Sequence, residues 1–190
     1  MRKKLMRDND LDLFFSVSMT TRPKRFKEVN GRDYFFVSKE EFEKLLDEDG
    51  LIEHVEYCGN YYGTPRKPVE DALNSGRNVL LEIEVNGASE VMEKYRGIYT
   101  LAIFLMPPSA EELERRIKLR GSESEEAVEQ RLEQSKKEME LSVNYDVCLT
   151  NYTVSKTALR FTQAVKNRIR YCESVEQGLP IDPDYVIKRP

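Results

Sequence analysis

Short runs dense in branched apolar residues alternate along the second half of the chain with longer stretches of helical periodicity. "NVLLEIEV" (residues 78–85) and "YTLAIFLM" (99–106) are rich in Val, Leu and Ile, and "YDVCLTN" (145–151) is a further strand. Runs of that kind suit strands buried on both faces. Helices lying between them indicate an α/β fold built on a parallel sheet. This alternation constrains the fold more than any bulk property does.

The helical stretches carry their own punctuation. "PSAEELERRIKLRG" starts at a capping box of Ser109 and Glu112, and "SEEAVEQRLEQSKKEMEL" reads as a second charged helix. "SKTALRFTQAVKNRI" places Ala158, Phe161, Val165 and Ile169 on one face. The first half differs. "LFFSVS" and "RDYFFVS" read as strands, and the second runs into a helix over "SKEEFEKLLDEDG". Ser38 and Glu41 cap that helix, Phe42, Leu45 and Leu46 form its apolar face, and Gly50 ends it. "LIEHVEYCGNYYGTP" joins an alternating run to a Gly-Asn turn, which predicts antiparallel structure, so residues 32–65 read as an inserted lobe. "KPVEDALNSG" is a short helix closed by Gly76. From Glu173 onward, three prolines and a glycine predict an extended tail over 173–190.

Composition excludes several classes. The 190 residues hold 30 Lys+Arg against 34 Asp+Glu, a formal charge of −4, so no nucleic-acid partner is expected and any anion site must be a local arginine cluster. No apolar run is long enough to cross a bilayer, and "MRKKLM" lacks the apolar core of a secretory signal, so no membrane partner is expected. The basic start reads as the solvated face of a helix. Three scattered cysteines without a CxxC pair, and a single histidine, His54, argue against a protein-held metal or a histidine-based triad. They suggest a reducing, cytoplasmic setting. Oligomeric state is not legible.

Three constellations could carry chemistry. In "SVSMTTRPKR", Ser18, Thr20 and Thr21 supply hydroxyls, while Arg22 and Arg25 flank the rigid Pro23. Two guanidinium forks on a short turn can grip one phosphate dianion, although composition alone allows a solvated basic loop. Arg116 and Arg120 share one helix face, with Arg131 on the next helix, where they could close on a transferring phosphoryl group or form salt bridges with Glu112, Glu129 and Glu133. In "IEHVEYCGNYYGTP", Glu53 interrupts an apolar alternation ahead of Tyr62, Gly63 and Thr64. A carboxylate there could accept the paired N–H donors of a guanine edge, or the segment could be a surface hairpin with packing tyrosines.

Taken in order, "FSVSMTTRPKR…EVNGRDYFFVS", "IEHVEYCGNYYGTP", "LLEIEVNGA", "IFLMPPS" and "LERRIKLRG" resemble the guanylate kinases, the ATP:GMP phosphotransferases, from about Arg2 to Ala164. The resemblance implies a nucleoside-monophosphate-kinase-like parallel sheet within residues 1–172. It also implies an inserted GMP-binding β lobe at about 20–80 and lid helices at about 110–140. By position, Arg22, Arg25, Tyr34 and Tyr62 would hold the GMP phosphate. Ser18, Glu53 and Thr64 would read the base, with Glu82 and Glu84 nearby. Arg116, Arg120 and Arg131 match the lid arginines, and Asn151 lies where the adenine of ATP binds. Mg²⁺ would accompany ATP. AMP would set an acceptor against Glu53, which gives discrimination a physical basis.

The sequence departs from the family pattern in places. "EIEVNGA" puts Glu84 and Asn86 where aspartate and glutamine are usual, Lys27 stands where glycine is common, and Tyr152 replaces an acidic residue. The family's P-loop, G-x-x-G-x-G-K-[ST], occurs nowhere in the 190 residues, and "RKKLM" aligns with the helix that follows it. The expectation is a guanylate kinase sequence that begins late, short of the first strand and P-loop, with impaired catalysis. The competing expectation is a non-catalytic binding module for GMP or a phosphorylated partner. A kinase for a different nucleoside monophosphate fits Glu53 and "NYYGTP" less well.

Overall fold

The computed structural model describes residues 1–57, 59–119 and 125–180. The chain runs through helix α1 (Arg2–Leu5), strands β1 (Leu13–Phe15), β2 (Met19–Thr20) and β3 (Phe35–Phe36), and helix α2 (Lys39–Asp47). The hairpin strands β4 (Leu51–Tyr57) and β5 (Asn60–Pro65) follow, then helix α3 (Arg66–Asn74), strand β6 (Asn78–Leu80) and helix α4 (Val85–Tyr95). Strand β7 (Ile103–Met106), helices α5 (Ala110–Leu119) and α6 (Glu125–Glu140), strand β8 (Val147–Thr150) and helix α7 (Val154–Glu176) complete the order. Two compact units result, Met6–Arg96 and Gly97–Pro190 together with Met1–Leu5.

The Met6–Arg96 unit holds a parallel pair, β1 with β6, and a mixed sheet in the order β3-β2-β5-β4. The lobe is not wholly antiparallel, because β3 lies parallel to β2 while β5 runs antiparallel to β2 and β4. Ser38 caps α2 as its sequence predicts, its hydroxyl accepting from the Glu41 N–H while the Glu41 carboxylate accepts from the Ser38 N–H. The cap fixes the entry angle, and Phe42 then packs with Met19 and Leu51, against Phe35, Val37, Leu45 and Tyr61. Each fully buried side chain of this size contributes about 1.5–3 kcal/mol.

Two turns differ in detail from the sequence reading. At the end of α2 the left-handed residue is Asp49 (φ 52), while Gly50 leaves room for the Leu45 carbonyl oxygen, which would stand 3.0 Å from a Cβ there. In the hairpin Tyr57 pairs with Asn60, so Asn60 belongs to the strand and Gly59, at φ 70, supplies the turn conformation.

In the other unit, β7 and β8 pair in parallel from Ile103↔Val147 to Met106↔Thr150. Phe104 and Tyr145 meet edge to face at 5.0 Å beside buried Leu149, and Ala158 and Phe161 of α7 are buried as predicted. Val165 and Ile169 are half-buried. The helix runs on to Glu176, past the point where the sequence reading begins a tail, and residues 181–190 lie outside the described part.

Burial on both faces is not met. Leu105 of β7 is 39% exposed, and Val79 and Leu80 of β6 are only half-buried. Among the described residues each of these strands has one hydrogen-bonded neighbour, so neither lies inside a continuous sheet. Pairing in β6 stops at Leu80, and Glu84 starts α4, a helix that the reading of residues 78–85 as one strand does not anticipate.

Candidate functional site

The Met6–Arg96 unit gathers most of the singled-out side chains around β5. A bulge in β4 does the first part of this work. Leu51 pairs with Pro65 and the next pair is His54 with Gly63, so β4 carries one residue more than β5 over that interval. Alternation breaks, Leu51, Ile52 and Glu53 are buried in succession, and Glu53 is left 4% exposed. Its Oε1 accepts from the Thr64 hydroxyl at 2.5 Å, and Thr64 is 1% exposed. Burial pushes the Glu53 carboxyl above its ordinary value of 4.5; the Thr64 hydrogen bond opposes this, and the charges of Glu90 and Glu84 add to it.

Tyr62 and Thr64 are two residues apart, so they share one face of β5, with Cα atoms about 7 Å apart. Around Tyr62 lies a polar aromatic cluster. Tyr34 meets Tyr62 edge to face at 6.0 Å, and Tyr57 meets it at 6.5 Å. The Arg22 guanidinium lies 5.6 Å from the ring centroids of Tyr34 and Phe36. Burial raises the Tyr34 hydroxyl above its usual value, so it is a neutral donor at physiological pH.

Glu28 organises the arginine loop. Its Oε1 accepts from Arg22 at 2.8 Å and its Oε2 accepts from the Arg25 backbone N–H at 2.8 Å. The Arg22 hydrogen bond holds the Glu28 carboxyl below the ordinary carboxylate range. The Arg25 side chain itself is exposed. Sequence reading missed Glu28 because one acid in a charged loop has no period to mark it. The spacing of six residues from Arg22, across a turn, is the available signal.

Other candidates divide. Thr20 and Thr21 are lacing residues. The Thr20 hydroxyl donates to the Tyr61 carbonyl at 2.9 Å, and the Thr21 hydroxyl accepts from the Tyr61 N–H at 2.9 Å, tying β2 to β5. Ser18 is half-buried and its carbonyl accepts from the Phe35 N–H. Glu82 is exposed beyond β6, whereas Glu84 caps α4, its Oε1 accepting from the Gly87 N–H at 3.2 Å.

In the other unit Arg116 and Asn151 are joined. An Arg116 Nη donates to the Asn151 carbonyl at 2.9 Å, while its Nε donates to Glu112 at 2.7 Å. The Asn151 side chain accepts from the Thr157 hydroxyl at 3.1 Å. The Ser109 hydroxyl caps α5 by accepting from the Glu112 N–H, but the Glu112 carboxylate turns to Arg115 and Arg116. Those two guanidinium groups, Arg115 first, hold the Glu112 carboxyl down to about 2. Arg131 is half-buried on α6, and Arg120 lies outside the described residues.

A buried, hydroxyl-anchored carboxylate can accept paired N–H donors, and an arginine framed by tyrosines can hold an oxyanion. Comparison with known proteins points to one family. Residues 1–168 match the family described as guanylate kinase. A Mesoplasma florum protein named guanylate kinase is 48% identical over 175 residues, covering 92% of this chain but only 58% of that protein. An Oceanobacillus iheyensis guanylate kinase is 44% identical over 187 residues, covering 94% of this chain and 89% of that protein. The crystal structure of guanylate kinase from Anaplasma phagocytophilum superposes with a TM-score of 0.74 at 37% identity, covering 87% of this chain and 78% of that one. With the family pattern spanning nearly all of the described residues, the chain belongs to the guanylate kinase family.

Proposed function

We propose that this protein binds GMP along the face of β5 and serves phosphoryl transfer from ATP to GMP, giving GDP and ADP. The observation that carries the reading is the placement of Tyr62 and Thr64 on one strand face, one beside Arg22 and Tyr34, the other bonded to buried Glu53. Arg22, Arg25, Tyr34 and Tyr62 take the phosphate. Ionised Glu53, with Thr64 and Ser18, takes the N1 and N2 donors of guanine, and Glu82 and Glu84 stand at the edge of that subsite. An adenine base presents a lone pair at N1, which a buried carboxylate rejects.

In the transfer a GMP phosphate oxygen forms a bond to the γ-phosphorus of ATP as the bond to the ADP oxygen breaks. Arg116, Arg120 and Arg131 act on the donor phosphates as charge spreads over the transferring group. Asn151 lies on the adenine side. Mg²⁺ enters as the ATP complex; among the described residues no three His, Cys, Asp or Glu side chains converge as a cage of their own. No described helix is long and apolar enough to cross a membrane. A cytoplasmic setting is part of this proposal, where both nucleotides are available.

Because the 190 residues contain no G-x-x-G-x-G-K-[ST] stretch, we infer that this polypeptide binds GMP yet turns over far more slowly than an ordinary kinase. Isothermal titration with GMP and AMP tests the base assignment. GMP is expected to bind more tightly, and equal affinity defeats the reading. A coupled ADP-release assay tests catalysis, and ordinary turnover would overturn the inference of impairment.

A further inference from the structure

Gly87 stands against the carboxylate that reads the base. A Cβ built on Gly87 would lie 2.2 Å from Glu53 Oε2 and 3.0 Å from its Cδ, well inside van der Waals contact. A clash with the tip of a long side chain is ordinarily relieved by rotation, but here the rotation is blocked. Glu53 is buried, and its other oxygen is fixed by the Thr64 hydroxyl at 2.5 Å.

The helix cannot readily move away instead. Its first turn is closed by the Glu84 side chain on the Gly87 N–H, and buried Val85 anchors the same turn. Further along, Lys94 Nζ donates to the Ile52 carbonyl at 3.2 Å, tying α4 to the residue next to Glu53. An added methyl at position 87 must therefore displace the carboxylate.

We propose that Gly87 is a specificity-determining positioning residue. By having no side chain it forms the wall against which the Glu53 carboxylate is set for two donors at once. The atoms nearest a Cβ at this position all belong to Glu53, so its effect passes through Glu53. This inference rests on the reading of Glu53 as the guanine acceptor.

A double-mutant cycle tests it, with GMP and AMP affinities measured by titration on the full chain for wild type, Gly87→Ala, Glu53→Ala and the double variant. Gly87→Ala is expected to lower GMP affinity about ten- to a hundredfold, as displaced charge-assisted hydrogen bonds imply, with AMP little changed. In the Glu53→Ala background the same change should cost almost nothing further, because the clashing carboxylate is gone. Equal losses in both backgrounds, or full GMP preference in Gly87→Ala, overturn the proposal. If Gly87→Ala fails to fold, circular dichroism of the double variant decides. Recovery of the fold supports the clash with Glu53, and failure of both assigns Gly87 a backbone role and overturns it. A wild-type chain without GMP preference instead refutes the reading of Glu53, which keeps the two failures distinguishable.

Discussion

The Met6–Arg96 unit and the α5–α6 region both carry arginines and glutamates, yet they hold them in opposite ways. In the first, Glu53 is a buried residue of β4, and the Arg22 side chain, 13% exposed, is locked by Glu28 and ringed by aromatics. In the second, Arg115, Arg116 and Lys118 pair with Glu112 and Glu114 three or four residues away along α5. Burial makes a charge expensive to move and therefore able to discriminate. Exposed pairs on a helix are exchanged at little cost.

The largest blow to the first unit should come from its packing. Phe42→Ala removes a side chain that is 1% exposed and stacked on Tyr61, and it is expected to cost about 3–5 kcal/mol in denaturant unfolding. A loss below about 1 kcal/mol would show that the lobe is not organised around that cluster.

Glu53→Gln comes next. On the proposed reading, in which Glu53 accepts the two guanine N–H donors, this change should weaken GMP binding by about a hundredfold. It also carries a pH signature with a definite sign. The folded carboxyl lies above 4.5, so in the wild type the ionised form costs stability as pH rises through and beyond that value. Glu53→Gln should therefore gain in unfolding midpoint at neutral pH, with the gap closing below 4.5. Wild-type GMP affinity should fall on acidification from a pH above 4.5, while the variant stays flat over that range. A variant less stable than wild type at neutral pH would contradict the burial account.

Glu28→Gln tests whether the loop is positioned for phosphate alone. GMP affinity is expected to drop about tenfold while guanosine affinity holds. Equal losses for both ligands would assign Glu28 to the whole lobe. The smallest effect is expected from Glu112→Gln, whose thermal midpoint at neutral pH should stay near that of wild type. The Glu112 carboxyl sits at about 2, so any stabilisation it gives is present above 4.5 and fades as pH falls towards 2. A loss comparable to that of Phe42→Ala would erase the contrast between the two units.

Much of this was legible from local pattern. The Ser38–Glu41 capping box, the β4–β5 hairpin and the Ala158–Phe161 part of the α7 face depend on neighbours within a few residues; the cap formed where the pattern placed it, and the hairpin formed with its turn shifted off Asn60. The Ser109–Glu112 box was read by the same rule, yet Glu112 answers to Arg115 and Arg116. A charged partner one turn on outcompetes a backbone N–H for a carboxylate. Helix α4 was missed because Val79, Leu80, Leu81 and Ile83 continue a strand pattern past the last paired residue, and only pairing partners decide where a strand stops.

The site divides in the same way. Arg22, Glu53, Tyr62 and Thr64 could be nominated from residue type and order, because guanidinium, carboxylate, phenol and hydroxyl announce their chemistry in one letter, whereas Tyr34 came only through the family resemblance. The sequence by itself thus determined the α/β class, the family and the nature of the groups. Tertiary structure alone decided that a bulge buries Glu53, that Thr20 and Thr21 lace strands, that Glu28 holds Arg22, and that Gly87 backs a carboxylate. Those assignments depend on atoms far apart in the chain meeting within a few ångströms. Register and burial fix such meetings, and no local pattern of residues encodes them.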